Sequence, residues 1–99
     1  MKIQLVDKGA EGELMLEGRL DANSSPEAEK IFLQMSERYS KLTLNLAGLE
    51  YISSAGLRVL KVTHMTMRKK GGVLALKNTG KMVMEVFEMT GFAGLLHFE

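Results

Sequence analysis

Leu44-Asn45-Leu46-Ala47-Gly48-Leu49-Glu50-Tyr51-Ile52-Ser53-Ser54-Ala55-Gly56-Leu57-Arg58 is the stretch whose reading decides the fold. Leu42, Leu44 and Leu46 alternate with other residues, so Lys41 to Leu46 reads as a strand with one apolar face. Gly48 then predicts a turn, and four small residues, Ser53-Ser54-Ala55-Gly56, lead into a helix from about Ser54 to Lys70. Leu57, Leu60, His64 and Met67 fall on one side of that helix, with Val59 and Val62 widening the stripe. Arg68-Lys69-Lys70 places cations in the last turn, where they suit the helix dipole, and Gly71-Gly72 ends it. The unpaired N–H groups at a helix start attract negative charge, so a serine held there is either a plain cap or a place for a phosphate.

Outward from this stretch, the periodicities supply the remaining elements. Lys2 to Val6 and Glu13 to Leu20 alternate around the turn residues Asp7 to Gly12, which predicts a hairpin. Asp21 to Glu27 is a loop that opens a helix. Ser24 with Glu27 fits a capping box, and Ser25 before Pro26 fits an N-terminus equally well. Ala28, Ile31, Phe32, Met35 and Tyr39 form one face of that helix. Val73 to Leu76 is a continuously apolar strand, Lys77 to Gly80 a loop, and Lys81 to Thr90 a helix with Val83, Val86 and Phe87 inward, capped by Gly91. Leu95 to Phe98 is a last short strand. The order β-β-α-β-α-β-α-β over residues 1–99 predicts a single α/β domain with a mixed central sheet packed with helices. Its hairpin is antiparallel and the strands joined through helices are parallel. In such sheets ligands gather beyond the carboxyl ends of the parallel strands, here Asp21 to Ser24, Ser53 to Leu57, and Asn78.

Bulk composition narrows the function classes. Ninety-nine residues with 45% hydrophobic and 25% charged side chains suit one globular domain. With no cysteine, neither a disulfide framework nor a thiolate metal site is possible. No long apolar run opens the chain or could span a membrane, so a cytoplasmic location without membrane contact is expected. A net charge of +1 argues against direct nucleic-acid binding.

Chemistry of its own is not expected. Ser54 and His64 are ten residues apart on one helix, roughly 15 Å along the axis, which rules out a triad with Asp21. His64 reads as a core-flanking residue and His97 as part of the terminal strand. Two distant histidines make no metal site. Asn78-Thr79-Gly80-Lys81 fails as a phosphate loop because Ala75 stands where the first glycine is needed and Met82 where the Ser/Thr belongs. Met35, Met67, Met82, Met84 and Met89 lie on or beside apolar helix faces, which points to core packing, with a pliable Met-rich binding surface as the alternative. From spacing alone, Ser54 is better read as a cap than as a phosphate acceptor.

Leu44-x-Leu46-x-x-Leu49-x-Tyr51-Ile52-Ser53-Ser54-Ala55-Gly56-Leu57 resembles the signature of the STAS family, the anti-sigma factor antagonists. Gly18-Arg19-Leu20-Asp21 is similar to the family's Gly-x-Leu-Asp, and Phe87-Glu88-Met89-Thr90-Gly91-Phe92 to the segment closing its last major helix. The resemblance implies that Ser54, two residues before Gly56, is the phosphorylated serine, with Ser53 ranked behind it, and that Asp21 belongs to the partner surface. Many members carry aspartate immediately before the phosphorylated serine, where this chain has Ser53.

What the resemblance further implies is a non-enzymatic partner switch. A surface of Asp21, Ala22, Asn23, Ser24, Ser53, Ser54, Gly56, Leu57, Arg58 and Asn78 would bind an anti-sigma factor that is also a serine kinase. That kinase would bring ATP and Mg²⁺, since this chain needs no cofactor or metal of its own. Transfer to Ser54 would weaken the complex, and a phosphatase would reset it. A constitutive STAS adaptor in a lipid-transport or stressosome-type assembly, never phosphorylated, is the alternative, and Ser53 in place of aspartate leans toward it.

Overall fold

A computed structural model describes the whole chain, Met1–Glu99. The strands are β1 (Lys2–Lys8), β2 (Glu11–Leu20), β3 (Lys41–Ile52), β4 (Val73–Lys77) and β5 (His97–Phe98). The helices are α1 (Ser25–Arg38), α2 (Ser54–Lys69) and α3 (Lys81–Thr90), and a 3₁₀ turn at Phe92–Gly94 precedes β5. One five-stranded sheet runs β1-β2-β3-β4-β5, with β1 antiparallel to β2 and the other pairs parallel. The α/β class and the order of elements are therefore as the periodicities predict. The last strand is shorter than Leu95 to Phe98, because the 3₁₀ turn takes up the approach to it.

The largest departure lies in β3. Gly48 does not turn the chain; the strand runs on to Ile52. Its pairing with β2 slips twice, between Met15 and Glu17 and again between Gly18 and Arg19. Each slip sets more residues of β3 than of β2 in the interval, as in a bulge, and changes which positions face inward. The buried apolar positions consequently run Leu42, Leu44, Leu46, then Leu49, then Ile52, while Thr43 and Asn45 are buried on the other face. Period-2 alternation breaks at Leu46 although the strand does not. Gly48 is required because a Cβ there would stand 2.8 Å from the Leu16 carbonyl oxygen.

One face of the sheet and the three helices enclose the core. Leu14, Leu16, Leu44 and Leu76 from the strands meet Phe32 of α1, Leu57, Leu60 and Met67 of α2, and Val83 and Phe87 of α3. Burying each such side chain contributes about 1.5–3 kcal/mol relative to exposure. The amphipathic faces read from the sequence are the ones that turn inward. Two methionines are the exception: Met82 and Met89 are 73% and 85% exposed and do not pack in the core. At the far ends of α1 and α2, Lys70 Nζ donates to the carbonyls of Ser36 (2.6 Å) and Tyr39 (3.0 Å), tying the two helices together.

The opposite sheet face carries a polar network. Glu13 accepts from Lys8 Nζ at 2.9 Å and from Asn45 Nδ2 at 2.9 Å, and pairs with Lys77 Nζ at 3.0 Å. These contacts, the Lys8 hydrogen bond foremost, hold its carboxyl at a pKa of about 2 despite burial.

Candidate functional site

β2 and β3 end together, with Leu20 opposite Ile52 in register. The Ser53 N–H donates to the Leu20 carbonyl at 2.9 Å, so the loop after β2 and the start of α2 form one edge. Gly56 makes this closeness possible. A Cβ there would meet Leu20 Cγ, the Leu20 carbonyl oxygen and Ile52 Cγ1, each at 2.8 Å. The first turn of α2 is thus seated directly on the ends of both strands.

The cap of α2 is Ser53, not Ser54. Ser53 is extended (φ −98°, ψ 176°) and its Oγ accepts from the Gly56 N–H at 3.3 Å, while its carbonyl accepts from the Leu57 N–H at 2.9 Å. Ser54 is the first helical residue; its side chain is exposed and no hydrogen bond within the chain ties its hydroxyl. The N–H groups of Ser54 and Ala55 belong to the set that helix geometry leaves without an intrahelical acceptor. Arg58 follows one turn later, exposed and in no ion pair.

Across the edge, Asp21 organises its own loop. Its Oδ1 accepts from the N–H groups of Asn23 (3.0 Å) and Ser24 (3.1 Å) and from Ser24 Oγ at 3.3 Å. The hydrogen bond from the Ser24 backbone, foremost among these, holds the carboxyl below its ordinary range. Ser24 Oγ accepts in turn from the Asp21 N–H at 3.0 Å and donates to the Arg19 carbonyl at 2.7 Å. Neither expected cap of α1 forms: Ser24 has helical backbone angles and makes no capping bond, and Ser25 is buried within the helix. Asp21 does the work of a loop clasp instead.

Of the expected surface, Asp21, Ala22, Asn23, Ser24, Ser53, Ser54 and Arg58 reach solvent at least in part. Gly56 and Leu57 do not. Both are buried, Leu57 in the core, so their part in the edge is to seat α2. Asn78 stands apart. Lys77, before it, pairs with Asn45, and β3 continues from Leu46 to Ile52, roughly 20 Å further. Asn78 Nδ2 donates to Asn45 Oδ1 at 3.2 Å, which joins it to the network around Glu13.

Two residues of the edge carry no obvious mark in the sequence. Arg19 lies 4.2 Å from the Tyr51 ring centroid and its Nε is 3.8 Å from Asp21 Oδ2. Tyr51 also borders a mostly apolar groove of about 150 Å³, lined further by Glu50, Ile52, Met82, Val83 and Val86. A polar groove of about 500 Å³ beside it is lined by Gly18, Arg19, Asp21, Asn23, Glu27 and Glu50 among others. Only the doubled register slip brings Arg19 and Tyr51 opposite each other, and no spacing rule reveals it.

His64 is buried with both ring nitrogens unpartnered, and burial together with Arg68 lowers its pKa, which favours the neutral ring. No three His, Cys, Asp or Glu side chains converge as a metal site would require. No helix is long and apolar enough to cross a membrane.

Comparison with known proteins agrees with this geometry. An anti-sigma-B factor antagonist of Bacillus subtilis is 28% identical over 79 residues, covering 80% of this chain and 72% of that protein. BtrV of Bordetella bronchiseptica, provisionally named an anti-sigma factor antagonist, is 35% identical over 74 residues, covering 75% of this chain and 64% of its own length. Among solved structures, the Bacillus cell fate determinant SpoIIAA in its phosphorylated form superposes with a TM-score of 0.77 at 16% identity, covering 99% of this chain and 91% of that one. Its unphosphorylated form, covering 99% and 87%, gives the same TM-score at 15% identity, and these likenesses establish the fold. Residues 3–99 match the STAS domain family model, and the chain belongs to that family.

Proposed function

We propose that this chain is an anti-sigma factor antagonist that works without catalysis of its own, in the cytoplasm, by binding an anti-sigma factor at the edge formed by Asp21–Ser24, Ser53, Ser54 and Arg58. Phosphorylation of Ser54 is the regulatory event. The observation that carries this reading is the division of labour between the two serines: Ser53 is spent on the cap, and Ser54 stands exposed beside it. The names of the curated relatives support the partner class.

A phosphate at Ser54 adds about −1.5 to −2 charges and three acceptor oxygens. The helix start tolerates that charge, because the adjacent N–H groups and the dipole favour an anion. A docked partner does not. Its surface would be fitted to a small neutral hydroxyl flanked by the Asp21 carboxylate, which the loop keeps ionised. Repulsion costing about 3 kcal/mol weakens binding more than a hundredfold. The fold itself need not rearrange, since Ser54 is exposed and its hydroxyl makes no hydrogen bond within the chain that the phosphate would break. The kinase supplies ATP and Mg²⁺, and a phosphatase restores the hydroxyl.

Incubation with ATP and the anti-sigma kinase of the native host tests this reading. One phosphate mapped to Ser54, and none on Ser54→Ala, is the expected result. A complex that forms with no modification of any serine would favour the constitutive adaptor, to which the absence of an aspartate before Ser54 already leans. A phosphate on Ser53 would overturn the division of labour.

A further inference from the structure

Helix α2 contains Arg58, Lys61, Arg68 and Lys69 and no acidic residue at all. None of these four cations is in an ion pair. Arg58 stands four residues after Ser54 on the same helix, and both are exposed. Side chains at i and i+4 are neighbours, about 5–6 Å apart at Cβ. Helical side chains also lean toward the N-terminus, so Arg58 lies over the turn that Ser54 begins. An anion followed by a cation at i+4 is the favourable orientation of such a pair.

We infer that Arg58 is the internal counter-cation of a phosphate on Ser54: the guanidinium, unpaired in the unmodified chain, folds back over the first turn of α2 and pairs with the phosphoryl oxygens. The inference rests on Ser54 being the phosphate acceptor and extends that reading to a residue with a stated role. No bond forms or breaks; charge-assisted hydrogen bonds from the guanidinium to the phosphate replace water on both groups. Arg19 is less suited to the role, because Tyr51 and Asp21 already engage it. Lys61, seven residues from Ser54, is two turns away. Pairing has a second effect on the switch. It removes Arg58 from the surface offered to the partner, so modification changes two side chains of the docking edge at once.

The test uses full-length chain with phosphoserine installed at position 54 during synthesis, so that it needs no kinase and no partner. Phosphorus NMR across pH 4–8 reads the second ionisation of the phosphate, ordinarily near about 6. Relative to wild type, Arg58→Gln should raise that value by roughly half a unit, the size expected of a charge-assisted pair on a helix surface. Arg58→Lys should fall between, and Lys61→Gln should leave the value in place. Identical titrations of wild type and Arg58→Gln would overturn the inference, as would a shift in Lys61→Gln as large as that in Arg58→Gln. Because Arg58 and Lys61 are exposed, these variants should fold, which circular dichroism verifies. A paired phosphate that leaves partner affinity unchanged would refute the proposed switch and not the pairing.

Discussion

The two helices that leave adjacent strand ends, α1 and α2, both begin at a Ser-Ser pair, yet the two starts are built for opposite purposes. At α1 the polar side chains of the loop bond to one another, and the one hydroxyl without a partner, that of Ser25, is shut away from solvent. Asp21 Oδ1 takes three donors, Ser24 Oγ both gives and accepts, Ser25 is buried, and Pro26 has no N–H to offer. At α2 one serine satisfies the helix and the other is left in solvent. A hydroxyl beside a helix start is therefore no functional signal by itself. What distinguishes Ser54 is that its neighbour already does the structural work.

Substitutions that break this contrast should differ in size. Gly56→Val drives a side chain into Leu20 and Ile52 and unseats α2, so a loss of about 3 kcal/mol is expected in urea unfolding. Unchanged stability would mean that α2 does not depend on that contact. Asp21→Ala opens the clasp before α1, and amide exchange at Asn23 and Ser24 should speed up about tenfold or more. The amide oxygen of Asp21→Asn can still accept from both N–H groups and should preserve most of the protection.

The clasp also predicts a pH difference between the two starts. The folded pKa of Asp21 is lowered from the ordinary 3.8, so its contribution is complete above that value and fades as pH falls through the folded pKa. The Ser53 cap, a neutral hydroxyl, should show no such fading. Exchange rates at Asn23 and Gly56 followed from pH 6 down to 2.5, corrected for intrinsic exchange, would reveal the divergence. Smaller still, Ser53→Ala should cost about 1 kcal/mol as a lost cap. Ser54→Ala should stay within about 0.5 kcal/mol. A reversal of those last two values would return the cap to Ser54 and remove the basis for treating it as free.

Most of this architecture is legible in the chain because its helices are amphipathic and Leu14 and Leu16 of β2, like Leu42, Leu44 and Leu46 of β3, recur at a period of two. Where reading fails, a tertiary contact intervenes. Gly48 has the identity of a turn residue, but it is glycine because β2 passes within van der Waals contact. The two register slips disguise half of β3 as loop, and they also set Arg19 against Tyr51. Ser53 and Ser54 cannot be assigned as cap and free hydroxyl from spacing, since a shift of one residue exchanges their roles. Asn78 follows a strand end, as expected, but β4 stops well short of the end of β3, which leaves that residue in the Glu13 network. Gly56 and Leu57, expected on the partner surface, are buried instead and serve to seat α2.

The central claim, that Ser54 is the free serine through which partner binding is controlled, is tested most directly by calorimetric titration of the native host's anti-sigma factor with two forms of the chain, unmodified and carrying phosphoserine at position 54. The account predicts a complex with the first and at least a hundredfold weaker binding with the second, about 3 kcal/mol. Equal affinity for both forms would contradict it.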